Sequence, residues 1–99
     1  MEFVQVLEFK TSKFDEIDAV LQEYRAKREA AGAPVPVEVL QCKDRDQPDT
    51  YVSVVRFSSY EAAMENSNDP ETAAMAARIA DLCDSPTQFR NLDLITQMI

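Results

Sequence analysis

Histidine is absent from this chain of 99 residues, so any chemistry it performs falls to carboxylates, tyrosines, amides, arginines or thiols. That absence removes the usual metal ligand, the usual general base and every Ser-His or Cys-His nucleophile pair. The two thiols, Cys42 and Cys83, lie far apart and lack C-x-x-C spacing, so they are expected to be small buried hydrophobes rather than a disulfide. Asp44, Asp46 and Asp49 cluster within KDRDQPD, yet the ordered ligand spacing and the glycine of a calcium loop are missing. A solvated turn is expected there, and no metal site. What remains is a set of side chains suited to lining an apolar hollow with a few hydrogen-bonding groups. It comprises Gln5, Tyr24, Tyr51, Ser53, Phe57 and Met75, with Asn66 at its lip.

The elements that would position these residues are legible from periodicity. Phe3, Gln5, Leu7 and Phe9 alternate with Val4, Val6 and Glu8, which predicts a strand that is apolar on both faces and therefore central. Phe14, Ile17, Val20, Leu21, Tyr24 and Arg28 then recur three or four apart, the signature of a helix. Ser12 is its expected N-cap, and Gly32, the one glycine, is the expected left-handed residue that closes it before Pro34 and Pro36. Val35, Val37, Val39 and Gln41 alternate with Glu38, Leu40 and Cys42 in a second strand suited to an edge. TYVSVVRF is the third strand, joined to the second through KDRDQPD as a hairpin.

Ser58 with Glu61 three residues on predicts a capping box for a short helix, SYEAAMEN. The polar run ENSNDP at 65–70 follows. Asp69-Pro70 matches an N-cap with proline at the first helical position, so the run is first a helix break with a capped restart. Only second is it a lip for a ligand cavity, through Asn66. The restarted helix carries Thr72, Met75, Ala76, Ile79, Leu82 and Cys83 in one stripe. After Asp84-Ser85-Pro86, QFRNLDLITQMI is expected to be a fourth strand.

Strand, helix, strand, strand, broken helix, strand, joined by right-handed crossovers, places strands one and three side by side. The predicted fold is α+β: a ferredoxin-like βαββαβ domain over residues 1–99, with a four-stranded antiparallel sheet and helices on one face. On the helix-facing parity, Phe3, Gln5, Leu7 and Phe9 join Tyr51, Ser53, Val55 and Phe57 in an aromatic-rich surface that Tyr24, Met75 and Ile79 could close. The same description fits a core with a satisfied glutamine. On the opposite parity Val4, Val6, Val52 and Val54 have no helix to cover them, so a homodimer packing sheet against sheet is expected. The apolar ending Leu94, Ile95, Met98 and Ile99 argues the same way.

Eighteen acidic against ten basic side chains give a formal charge of −8, which repels phosphate backbones and anionic headgroups. The start MEFVQVLEFK lacks a basic n-region, and no apolar run approaches the ~20 residues of a membrane span. A soluble, cytoplasmic protein without nucleic-acid or membrane partners is expected.

The element order, the length and the stretch VVRFSSYEAAMENSNDPETAAMAARIADLCDSPTQFRNLDLI resemble the dimeric α+β barrel superfamily, in particular small proteins similar to antibiotic-biosynthesis monooxygenases. The resemblance implies a ligand cavity between sheet and helices, and for some members oxidation of polycyclic aromatic substrates by oxygen with no cofactor. It also implies a Trp near the end of the third strand and a His in the following helix. Those positions fall on Phe57 and Asn66, and this chain has no Trp or His at all. Haem-degrading relatives need that His to hold iron, so a haem oxygenase is excluded. Under a cofactor-free oxygenase reading, Arg56 and Arg90 are candidates to stabilise a substrate anion, and Tyr51 and Tyr60 to relay a proton. An ion pair with a neighbouring acid is the competing role for Arg56. The alternative is a non-catalytic dimeric binding or regulatory protein.

Overall fold

Seven elements form in the order β1 (Phe3–Lys10), α1 (Phe14–Ala30), β2 (Glu38–Lys43), β3 (Thr50–Phe57), α2 (Tyr60–Ser67), α3 (Pro70–Leu82) and β4 (Gln88–Asp93). The computed structural model describes residues 1–98; Ile99, counted above in the apolar ending, lies outside the described residues. All strand pairs are antiparallel and the sheet order is β2-β3-β1-β4, the ferredoxin-like arrangement, with the two valine-rich strands at the centre. The register pairs Phe3 with Phe57 and Val6 with Val54, so Phe3, Gln5, Leu7 and Phe9 share a face with Tyr51, Ser53, Val55 and Phe57. That face meets the helices: Ala63 of α2 packs on Phe3 and Phe57, and Phe14 of α1 stacks on Tyr51 with centroids 4.4 Å apart.

The helix stops are local. Gly32 has φ +67°, and its N–H and that of Ala33 return to the carbonyls of Glu29 and Arg28, the paired bonds of a Schellman closure. Asp69 caps α3 through Glu71 N–H at 2.8 Å, with Pro70 at the first helical position as expected.

Both other expected caps move by one residue. The start of α1 falls at Lys13 without a side-chain cap, and Ser12 is exposed. Thr11, not Ser12, holds the turn: its Oγ1 accepts from Lys13 N–H at 2.9 Å and donates to the Leu82 carbonyl at 2.6 Å. The tertiary bond to Leu82 selects Thr11. At α2, Ser59 caps through Ala62 N–H at 3.1 Å, so the expected Ser58 box does not form.

Two strands are also shorter than the alternation suggests. β2 begins at Glu38, because Pro34 and Pro36 offer no N–H to a ladder. β4 ends at Asp93: Leu94 donates to the Glu2 carbonyl, beyond which β1 offers no further partner strand.

The core is thin. Its fully buried hydrophobic residues are Phe3, Phe9, Ile17, Val20, Phe57 and Ala63, and α3 contributes none of them. Instead α3 packs on α1 and α2 and is tied at its ends. Thr11 Oγ1 and the Asp84 N–H to Lys10 carbonyl bond fix its C-terminal end, while a polar cluster fixes its N-terminal end. Among the described residues no helix is long and apolar enough to cross a membrane.

A Cβ added at Gly32 meets no atom within 4 Å, so Gly32→Ala isolates the backbone cost. We expect a loss of about 1–2 kcal/mol in urea unfolding, the penalty for a β-carbon at positive φ. An unchanged midpoint would show that α1 closes without the left-handed residue.

Candidate functional site

The helix-facing side of the sheet is covered unevenly. α1 lies over β3 and the end of β1, burying Ile17 and Val20, and α2 covers Phe3 and Phe57. Toward β4 the cover stops. Register pairs Gln5 with Asn91 and Leu7 with Phe89, placing all four side chains on the helix side. There Phe89 is 58% exposed, Asn91 is exposed, and Gln5 and Leu7 are half-buried. Gln5 Nε2 donates to Asn91 Oδ1 at 3.2 Å. This pair leaves Gln5 Oε1 free to accept and Asn91 Nδ2 free to donate beside an aromatic ring. A floor of this kind can hold a flat apolar molecule that carries oxygen atoms on one edge.

A second polar group sits where α1, α2 and α3 meet. Arg28, 6% exposed, places Nη1 at 2.6 Å from Asp69 Oδ2 and Nη2 at 3.0 Å from Asn66 Oδ1, with its guanidinium 5.9 Å from the centre of the Tyr24 ring. Tyr24 OH lies 3.1 Å from Asn66 Oδ1 and 2.6 Å from Thr72 Oγ1. The donor directions follow from the types. Arginine can only donate, so the Asn66 atom facing it is the oxygen; Tyr24 therefore donates to Asn66, and Thr72 donates to Tyr24. Asp69 carries two duties, with Oδ1 capping α3 and Oδ2 taking the guanidinium. The Glu71 N–H, and then Arg28, hold its carboxyl below the ordinary aspartate range.

The sequence candidates thus separate into groups. Tyr24 and Asn66 are bonded, and Tyr24 and Met75 line one cavity of about 120 Å³ between α1 and α3. The mouth of that cavity carries Glu23, which lies 3.0 Å from Arg78 and 3.4 Å from Lys27 and is held below the usual glutamate range by these cations, Arg78 foremost. Phe57 and Tyr60 both meet Phe3, Tyr60 edge-on with centroids 5.3 Å apart. Tyr51 lies between Phe9 and Phe14 and borders a cavity of about 360 Å³ at the start of α1. Ser53 is buried and donates to Gln41 across the β2–β3 pair. Gln5 belongs to the β4 floor.

Arg56 and Arg90 lie on the sheet face away from the helices, since they pair with Val4 and Val6. Strand parity, opposite to that of Tyr51, already puts Arg56 on that face, and register adds Arg90, so neither reaches a ligand held on the helix side. Arg56 ion-pairs with Glu2 at 3.7 Å, the competing role given for it above. Cys83 is half-buried, and burial pushes its thiol up, which keeps it protonated and a poor nucleophile. Among the described residues no group of three or more Cys, Asp or Glu gathers around a point that could hold a metal ion.

Sequence reasoning passed over Arg28 as a functional residue. The signal was present: a cation in the helix row that otherwise carries Phe14, Ile17, Val20 and Tyr24. Asn91 has no such signal in the sequence, because only strand register joins it to Gln5.

No family model and no curated protein sequence matches the chain. Solved structures do match its fold. SnoaB, a cofactor-independent oxygenase from Streptomyces nogalater, superposes with a TM-score of 0.80 at 17% identity, over 98% of this chain and 96% of that one. A Caulobacter crescentus protein classed with antibiotic biosynthesis monooxygenases gives 0.80 at 16% identity, over 96% and 91%. Rv0793 from Mycobacterium tuberculosis gives 0.77 at 15% identity, over 98% of both chains. The chain accordingly shares the ferredoxin-like α+β fold of these structures, the fold that the resemblance implies. Likeness at this level of identity establishes the fold, while a reaction has to be argued from the site.

Asn preserves the α3 cap geometry but removes the carboxylate charge, so Asp69→Asn reads what that charge gains from the Glu71 N–H and from Arg28 together. Because the folded carboxyl is depressed, its stabilisation is complete above the unfolded aspartate value of about 3.9 and is lost as pH falls through the lower folded value. The urea midpoints of wild type and variant should differ most near pH 7 and converge below about pH 4. A difference independent of pH would refute the pairing.

Proposed function

We propose that this protein binds a flat, hydrophobic, oxygen-bearing small molecule on the β1–β4 floor beside α2 and α3, and that it acts as a homodimer on such a molecule as a cofactor-independent monooxygenase. The observation that carries the reading is the uncovered floor: an exposed Phe89 next to an amide pair, Gln5 and Asn91, with a donor and an acceptor unused. The fold shared with SnoaB supports the reaction class. In such chemistry the substrate, once deprotonated, is itself the reductant of oxygen. The protein then needs to bind it, stabilise negative charge on an oxygen and keep it oriented. Asn66 and Tyr60 are proposed to border the ligand from α2, while Tyr24, Tyr51, Ser53, Phe57 and Met75, which lie in the separate groups described above, support the fold around it.

A second reading, a non-catalytic dimeric binder or regulator, is favoured by one observation. The hydroxyls of Tyr24 and Ser53 are both engaged within the protein, which removes two polar groups of the expected hollow and leaves only Tyr51 and Tyr60 to relay a proton.

The dimer is supported by area. The chain exposes 6862 Å², against about 5,700 Å² for a folded monomer of this mass. The excess is comparable to the roughly 800 Å² that each partner buries in a standard interface. It includes Leu40 and Leu92, 47% and 39% exposed, which flank half-buried Val4, Val6, Val52 and Val54 on the face opposite the helices.

Oxygen uptake with 1,8-dihydroxyanthrone, corrected for the protein-free rate, tests the reaction. We expect protein-dependent uptake that survives chelators. Gln5→Ala and Asn91→Ala should each raise KM about threefold to tenfold, the loss of one neutral hydrogen bond. Binding without uptake would select the second reading. For the dimer, light scattering at micromolar concentration should give twice the chain mass, and Val54→Glu should halve it; a wild-type monomer would remove the dimer.

A further inference from the structure

Arg28 is an expensive way to fill a buried position. Its side chain is 7% exposed, and Nε finds no hydrogen-bond partner. An apolar residue of similar volume would pack there without stranding an N–H, and exchanges of that kind are commonly neutral or stabilising when the paired acid is replaced too. The guanidinium spans two targets at once. Asp69 would be capped and solvated without it, being about one-third exposed and already bonded to the Glu71 N–H. Asn66 is different, because its orientation depends on its neighbours.

An isolated asparagine amide can turn over, exchanging its oxygen and nitrogen. Here Oδ1 receives Arg28 Nη2 at 3.0 Å and Tyr24 OH at 3.1 Å, and only an oxygen can face an arginine. The amide is locked in one sense. Its Nδ2 has no partner among the described residues, so both of its hydrogens remain available. A cation at the carbonyl oxygen also draws electron density toward it, which strengthens the N–H groups as donors. Asn66 lies three residues after Ala63, the α2 residue buried on Phe3 and Phe57, and so shares the inward side of that helix.

We propose that Arg28 is the positioning residue of the site: it orients and polarises the Asn66 amide so that its Nδ2 hydrogens form a preset donor pair for a carbonyl, enolate or phenolate oxygen of the ligand. Fixed donors aimed at a developing oxyanion lower the cost of charge without reorganisation. Tyr24 supplies the second lock, and Thr72, which donates to Tyr24, passes the constraint from α3. The donor role of Asn66 rests on the small-molecule reading above; the orientation by Arg28 does not require any ligand to be present.

The test uses the nitrogen-15-labelled full chain, with the Asn66 side-chain amide identified by its disappearance in Asn66→Asp. In ligand-free wild type the Asn66 amide should rotate slowly about its C–N bond, which reads the polarisation of its carbonyl, and its Nδ2 hydrogens should keep one set of nuclear Overhauser contacts, which reads its orientation about Cβ–Cγ. Arg28→Met should accelerate that rotation by about tenfold or more, the loss of a charge-assisted hydrogen bond, and move the Nδ2 resonance upfield. Arg28→Gln, which keeps a donor but not the charge, should fall between the two, and serves if Arg28→Met fails to fold. Asp69→Asn keeps the Arg28–Asn66 bond and should leave the rotation near wild type even if it lowers stability.

Retention of the wild-type rotation in folded Arg28→Met and Arg28→Gln would overturn the proposal. So would an Asp69→Asn effect as large as that of Arg28→Met, which would make Arg28 merely structural. Under argon, 1,8-dihydroxyanthrone should then shift the wild-type Asn66 resonances and bind about tenfold more weakly to Arg28→Met. Absence of any shift in wild type would sink the small-molecule reading, whereas the ligand-free spectra alone decide the role of Arg28.

Discussion

The hydrogen bonds at the two ends of α3 carry more of this structure than the packing of that helix does. No residue of α3 is fully buried, and its nearest backbone neighbours are α1 and α2. A helix so held would drift without directional ties. Thr11 Oγ1 and the Asp84–Lys10 backbone bond fix one end, and Tyr24, Arg28, Asn66, Asp69 and Thr72 fix the other. Because the ties are terminal, the middle of α3, with Met75 and Ile79 only half-buried, need not press on β1 and β4. The open β1–β4 floor is a consequence of where the helix is fastened.

The second constraint is that one sheet has two faces and this chain has helices for one. The central strands are apolar on both, so the bare face leaves Leu40 and Leu92 exposed beside half-buried valines. Charges of both signs share that face by register, Glu8 and Glu38 with Arg56 and Arg90. Arg56 on that face is paired with Glu2, while much of the net acidity sits on helices and the β2–β3 turn. The two faces differ in kind: one carries apolar area with no helix over it, and the other carries an exposed ring beside an amide pair.

Much of the architecture is legible in the sequence. Gly32 and Asp69-Pro70 were readable because a positive φ and a capped proline start are local demands with few chemical solutions. The caps of α1 and α2 were misplaced by one residue because Thr11 and Ser12, or Ser58 and Ser59, are equivalent by type. Thr11 is preferred through its bond to Leu82, 71 residues away. β4 was drawn too long because alternation continues past Asp93 while its partner strand does not.

Residue types and their periods determined the ferredoxin-like order, the helix-facing parity and the absence of imidazole chemistry, since each depends on neighbours within a few residues or on composition alone. Tertiary structure decided the rest. It joined Gln5 to Asn91 through strand register, gathered Arg28, Tyr24, Asn66, Asp69 and Thr72 from three helices, and paired β4 with β1 so that Arg90 falls on the face away from the helices. These contacts link residues roughly 40 to 90 positions apart, and their geometry is set by how elements dock rather than by any local preference of the chain.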